Sequence, residues 1–283
     1  MEKRVLGRTK HRSSIATLGG AVFIYPIETH VGDQFIKHAL DRGVNHIDVA
    51  PTYGNAEARL GKWVREYRDD LFLACKTGKR TKQEAAEELR GSLERLQTDH
   101  IDLYQFHGLD TQEDLNTVVG EGGALQAFRE AKEEGLIDHI GITSHNPENI
   151  LRALELMDLD TILLPVNYVL RAHPEPGNDF RPVLSASEER DIGVIAMKAV
   201  AKGPYLGERT RECWYQPFTA KNEIKEALRF TLSQPLTTAA TSSDMEIARM
   251  TIDAAVNFEP MDRDEQEALI ARAADWRPLF PRN

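Results

Sequence analysis

Short apolar runs rich in β-branched residues alternate along the chain with longer stretches whose apolar positions recur every three or four residues. The strand-like runs are IATLGGAVF, NHIDVA, LFLACKTG, IDLYQFHG, HIGITSH, TILLPVNYV, GVIAMKAV and PLTTAAT. The helix-like stretches fall between them, at 34–42, 57–67, 82–96, 125–134, 148–157, 182–190, 222–233 and 244–255. Arg42-Gly43 and Glu134-Gly135 read as helix ends, with glycine in the left-handed cap position. Strand-helix alternation implies parallel βαβ units, and eight of them close into a barrel. The pattern therefore predicts an α/β fold, a (β/α)8 TIM barrel, as a single domain over 1–283. An N-terminal β-hairpin, leaving at Arg4 and returning near Ser14, precedes it, and an extra C-terminal helix at 263–274 follows.

In such a barrel polar residues at the C-terminal strand ends are candidates for chemistry. The stretch HIDVAPTYGNAE places a carboxylate, Asp48, inside an apolar run, where it costs several kcal/mol unless paired. Side chains alternate along a strand, so Val44, His46 and Asp48 share one face, as do Phe72, Ala74 and Lys76, and Leu103, Gln105 and His107. Asp48, Lys76 and His107 should then converge on one rim. Tyr53 lies on the turn above it, where a nearby ammonium would pull its phenol down toward general-acid use. Alone, the Asp48 and Lys76 pair reads more often as a structural ion pair than as a catalytic one. Cys75 should point away from Lys76, and Gly19-Gly20 should leave the first strand end open to a ligand.

The composition, 41% hydrophobic and 28% charged in 283 residues, is that of an ordinary globular chain. A net charge of -10 disfavours nucleic acid and anionic membrane surfaces as partners. Two cysteines build neither a disulfide framework nor a thiolate metal site, and no apolar window reaches the length of a membrane span. The expected location is the cytoplasm. His11, His30, His38, His46, His100, His139 and His173 read as packing or surface residues without metal-ligand spacing, and His145 is left open. No metal is expected, although metal hydrolases on this barrel are the alternative to weigh.

IDVAPTYGNAE, ACKTG, DHIDLYQFHGLD and GITSHN together resemble the aldo-keto reductase family nearly end to end. The resemblance implies Tyr53 as proton donor, Lys76 as its partner, Asp48 as orienter and His107 as the group that positions a carbonyl. It implies hydride transfer between a nicotinamide cofactor and a small-molecule aldehyde, ketone or alcohol. A rival expectation is a cofactor-sensing interaction module with little turnover. For the cofactor, the resemblance points to Thr143 and Ser144 at the carboxamide, Met197 in place of the stacking aromatic residue, and Lys198 near the pyrophosphate. Pro165 replaces the family's amide, with Asn167 two residues on as a substitute. Ser242-Ser243 stand where a Lys-Ser pair is expected, with Arg249 one residue late. The implied cofactor is NADP(H), with NAD(H) possible. Phe23 is the first candidate for a substrate-pocket wall, with Tyr25, Trp214, Tyr215, Trp276 and Phe280 as further aromatic candidates.

Overall fold

The computed structural model describes residues 1–175 and 177–280. Eight parallel strands close into a barrel. They are β1 (Ala16–Gly19), β2 (His46–Asp48), β3 (Phe72–Thr77), β4 (Ile101–Phe106), β5 (Ile137–Thr143), β6 (Thr161–Pro165), β7 (Gly193–Met197) and β8 (Thr238–Ala240). Closure comes from β8, which pairs with both β7 and β1.

Alternation along the strands sorts the apolar residues into two cores. Phe72, Ala74, Leu103, Leu163 and Ile195 fill the barrel, and Leu6, delivered by the hairpin Lys3–Val5 with Arg12–Ser14, plugs its floor. Gly193 is required beneath that plug, because a Cβ there would lie 2.7 Å from the Leu6 side chain. Leu73, Cys75 and their counterparts face outward into the larger core under the helices.

Local signals set most helix bounds. Thr81 accepts from the Glu84 amide at the start of Lys82–Leu96, Asn146 does the same before Pro147–Leu156, and Asp262 with Glu265 forms a capping box before the extra helix Arg263–Arg272. Gly43 and Gly135 adopt φ of 84° and 74° at the predicted ends.

Three features depart from the sequence pattern. IATLGGAVF stops being a strand at Gly19 and continues as the 3-10 turn Gly20–Phe23. TILLPVNYV breaks at Pro165 into the short helix Tyr168–Ala172, capped by the Asn167 side chain. A further helix, Gln112–Val119, and a hairpin of Ala201–Gly203 with Gln216–Pro217 occupy loops above the rim. None of the helices among the described residues is long and apolar enough to cross a membrane.

Candidate active site

Asp48, at the end of β2, is buried and accepts from Lys76 Nζ at 2.5 Å and from Gln105 Nε2 at 2.9 Å. Lys76 also donates to the Val49 carbonyl at 3.1 Å, so its ammonium is held from two sides. Period-2 counting places these residues correctly because β2, β3 and β4 are regular and in register, with Asp48 beside Ala74 and Lys76 beside Gln105. Tyr53 rides on the turn that follows, its ring centroid 5.2 Å from Lys76 Nζ and 5.7 Å, edge to face, from the His107 ring. Gly54 makes that turn possible: it adopts φ of 58°, and a Cβ would lie 2.9 Å from the Phe23 carbonyl.

The electrostatics follow from burial with one charge pair inside it. Desolvation alone would push the Lys76 ammonium down, but Asp48 and Tyr53 outweigh it and hold Lys76 above its ordinary range. For Tyr53 the balance is opposite to the expectation from sequence: burial pushes the phenol up, and Lys76 only partly pulls it back. Sequence reasoning named the ammonium and could not weigh the desolvation. Burial, aided by Lys76, drops His107 to about 3, so its imidazole is neutral at physiological pH. Behind the site Cys75 faces outward as expected and contacts buried Glu57, which Arg95 neutralises at 2.7 Å.

Tyr53, Lys76, Asp48 and His107 all border one cavity of about 310 Å3, closed by Gly19, Ala21 and Ile24 on one side and by Met197, Lys198, Trp214 and Tyr215 on the other. Residues 26–269 of the chain match the family model described as "Aldo/keto reductase family". The chain belongs to the aldo/keto reductase family. It is 30% identical over 217 residues to "Uncharacterized oxidoreductase YqkF" of Bacillus subtilis, covering 72% of this chain and 66% of that protein. It is also 30% identical over 203 residues to "Aldo-keto reductase YhdN" of the same organism, covering 67% and 58%. The chain thus spans somewhat less than two thirds of the length of these relatives. Its fold superposes on aldo-keto reductase AKR11C1 from Bacillus halodurans with a TM-score of 0.77 at 24% identity, covering 99% of this chain and 98% of that one.

The aldo/keto reductase pattern locates the remaining expected residues unevenly. Thr143, Met197, Lys198, Ser242 and Ser243 line the cavity. Ser144 is buried beside it, with its hydroxyl spent on Asp110 at 2.8 Å. Asn167 does not line the cavity. Because the strand ends at Pro165, the shared-face argument fails, and the amide caps the Leu170 N–H at 2.8 Å and donates to the Lys198 carbonyl at 3.0 Å. Phe23 likewise turns away: on a 3-10 turn its ring enters the outer core against Phe35, at 6.3 Å, and Ile24 takes the wall. Arg249 lies with its guanidinium 5.8 Å from the Phe35 ring, on the helix-packing side. Asp244 caps its helix through the Ile247 N–H at 3.1 Å.

Trp214 and Tyr215 line the cavity, whereas Tyr25 faces a neighbouring hollow. In the tail, Trp276 packs on Phe218 and Tyr168, and the Phe280 ring lies 5.1 Å from that of His145, tilted by 41°; Pro281 to Asn283 lie outside the described residues. The sequence reading gave Gln105 a face and no role, and missed Asp110, Arg209 and Arg211 altogether. Only Gln105 carried a signal, an amide aligned with Lys76 on the inward face. His100, expected from the sequence to be a surface or packing residue, has Asp102 and Asp138 beside it, with one ligand atom of each of the three within 4.8 Å of the others. Asp102 there is already held by Arg68 at 2.9 Å and by the Leu73 N–H at 2.7 Å.

Proposed function

We propose that the protein is a nicotinamide-dependent reductase of small-molecule carbonyl compounds, or the dehydrogenase of the corresponding alcohols, with Tyr53 as the proton donor. The observation that carries the reading is the convergence of a phenol, an ammonium paired with a buried carboxylate, and a neutral imidazole at the floor of one cavity. A bound nicotinamide supplies or accepts hydride. Tyr53, protonated at neutral pH because burial raises it, gives its proton to the carbonyl oxygen as negative charge develops there. Lys76, fixed by the Val49 carbonyl and by Asp48, which Gln105 holds in turn, stabilises the phenolate left behind. His107, neutral and able to donate one N–H, orients the carbonyl oxygen between itself and Tyr53.

The space available suits an elongated dinucleotide. The cavity runs past Thr241, Ser242 and Ser243, and the next residues, Asp244 to Glu246, border a second hollow of about 600 Å3 under Tyr25, Arg209 and Arg211. We assign Thr143 and Met197 to the nicotinamide end and Ser242 and Ser243 to the adenosine end. The cofactor proposed is NADP(H), with NAD(H) accepted. Two serine hydroxyls and a helix N-terminus favour a phosphate, while Asp244 and Glu246 work against it.

Removing the Tyr53 hydroxyl tests the reading. Tyr53→Phe is expected to lower kcat by ~10²- to 10⁴-fold across a panel of aldehydes and leave the dissociation constant for NADPH within about twofold. Unchanged turnover would sink the mechanism.

A further inference from the structure

Two lysines border the cavity, and only one of them is locked as a cation. Lys76 touches the Asp48 carboxylate, which holds its proton in place. Among the described residues no ion pair reaches Lys198, although its amine borders the same cavity. Its Nζ meets the His145 imidazole at 2.9 Å and the Met197 sulfur at 2.9 Å, and the rings of Trp214 and Phe280 lie beside it at 5.3 and 5.8 Å. The backbone at Lys198 is left-handed, φ 58°, which costs on the order of 1 kcal/mol for a residue with a Cβ, so the fold holds the amine there against a local preference.

The imidazole is itself fixed. Its Nδ1 lies 2.9 Å from Asp110 Oδ2, while Asp110 Oδ1 accepts from the His145 N–H at 2.6 Å and from the Ser144 hydroxyl at 2.8 Å. A carboxylate at Nδ1 keeps the ring proton there and leaves Nε2 as a base facing the lysine. Burial brings Lys198 down to about 7, with Asp110 and Cys213 pulling the other way. The other titratable group facing it is His107, at the end of β4. A desolvated lysine with a base in contact and no carboxylate partner is a nucleophile for carbonyl compounds.

We propose that Lys198 is a carbonyl-capture site: in the cofactor-free protein its amine condenses reversibly with a small aldehyde in the cavity, and His145 carries the proton. The nitrogen attacks the carbonyl carbon, a C–N bond forms, and one amine proton passes to His145 Nε2 while the carbonyl oxygen takes a proton from solvent. His145 then returns its proton to the hydroxyl, which leaves as water, and the second amine proton is released to solvent as C=N forms. One aldehyde and one amine thus give one imine and one water, with no change of oxidation state. An aromatic or conjugated aldehyde fits best, because its imine, once protonated, is a cation against the faces of Trp214 and Phe280. Lys198 adjoins Met197, assigned to the nicotinamide end, so the adduct and the dinucleotide compete for one space. The condensation goes beyond the reductase reading and needs no hydride; only that competition rests on the reading.

The test uses the full chain without cofactor. It is incubated with benzaldehyde for timed intervals at pH 7.5, pulsed with borohydride to reduce any imine to a stable benzylamine, digested, and mapped by mass spectrometry. Lys198 should gain a benzyl group at least about tenfold faster than the exposed Lys221 and Lys225, because far more of it is free amine at that pH. Its labelling should rise with pH through about 7, whereas an ordinary lysine rises only toward 10.5. Saturating NADP should slow labelling of Lys198 and leave Lys221 and Lys225 unchanged. His145→Leu, with its fold checked by circular dichroism, should slow capture by ~10²-fold, the loss typical of a general base. Asp110→Asn, a change at a positioning residue, should slow capture in the wild-type background and add nothing to His145→Leu. Labelling of Lys198 no faster than of the exposed lysines, or a pH dependence like theirs, would overturn the capture site without recourse to any variant. Labelling indifferent to NADP would overturn the competition. Retained turnover in Tyr53→Phe would overturn the reductase mechanism and leave the labelling map readable.

Discussion

Arg249 and Arg211 compete for one role, contact with a cofactor's 2'-phosphate. Position in the sequence favours Arg249, yet its guanidinium sits over Phe35 between two helices. Arg211 comes from the rim-crossing loop, reaches the helix N-terminus at Asp244 and Glu246, and borders the outer hollow. Its pairing with exposed Glu246 is worth about 0.2–1 kcal/mol, little enough for a phosphate to displace. Arg211→Ala should therefore lower kcat/KM for NADPH by roughly tenfold relative to NADH, and Arg249→Ala should leave the ratio of the two cofactors within about twofold. The opposite ranking in steady-state assays would return the role to the helix arginine. Sequence could not make this distinction, because Arg211 becomes a neighbour of residue 244 only when the loop folds back.

The N-terminal hairpin looks peripheral in sequence and is central in the fold. It ends at Leu6, which is fully buried and closes the barrel floor beneath Phe72, Leu103 and Ile195. Leu6→Ala is expected to cost ~2–5 kcal/mol, the range for opening a cavity in a packed core, with the upper end favoured because the rigid strand walls relax little. Urea denaturation measures it, and a loss under about 1 kcal/mol would mean that the plug is dispensable. The active-site residues lie at the opposite end of the barrel, so KM for a good aldehyde should move little where the variant is still folded.

Acid sensitivity belongs to the molecule as a whole. Burial is the largest cause lowering His11, His38, His46 and His107, the last to about 3. With an unfolded value near 6.5, the unfolded chain binds these protons first as pH falls, so stability declines from about pH 6.5 downward, through the His107 value near 3. Asp110 and Asp160, both held low in the fold, add a loss of the same sign below about pH 4. Melting temperatures should therefore decline already between pH 8 and 7, because burial lowers Lys198 to about 7 in the fold and the unfolded chain binds its proton first, then fall further by pH 5 and more steeply by pH 4. A constant Tm from pH 8 to pH 5 would contradict the histidine account.

The barrel, the order of its strands and the meeting of Asp48, Tyr53, Lys76 and His107 were legible in the pattern of residues alone. Hydrophobic periodicity is a local property, and in regular parallel strands the alternation of side chains converts spacing directly into facing. Where regularity ends, that conversion fails: Phe23 entered a 3-10 turn, Asn167 became a helix cap, and Ser144 was taken by Asp110. Long-range packing settled which loops close over the rim, bringing Arg211 to the helix at 245 and Trp214 and Phe280 to Lys198. It also decided the protonation of the site, since burial raises Tyr53 and neutralises His107 by a desolvation that depends on everything packed around them and is written in no short stretch of residues.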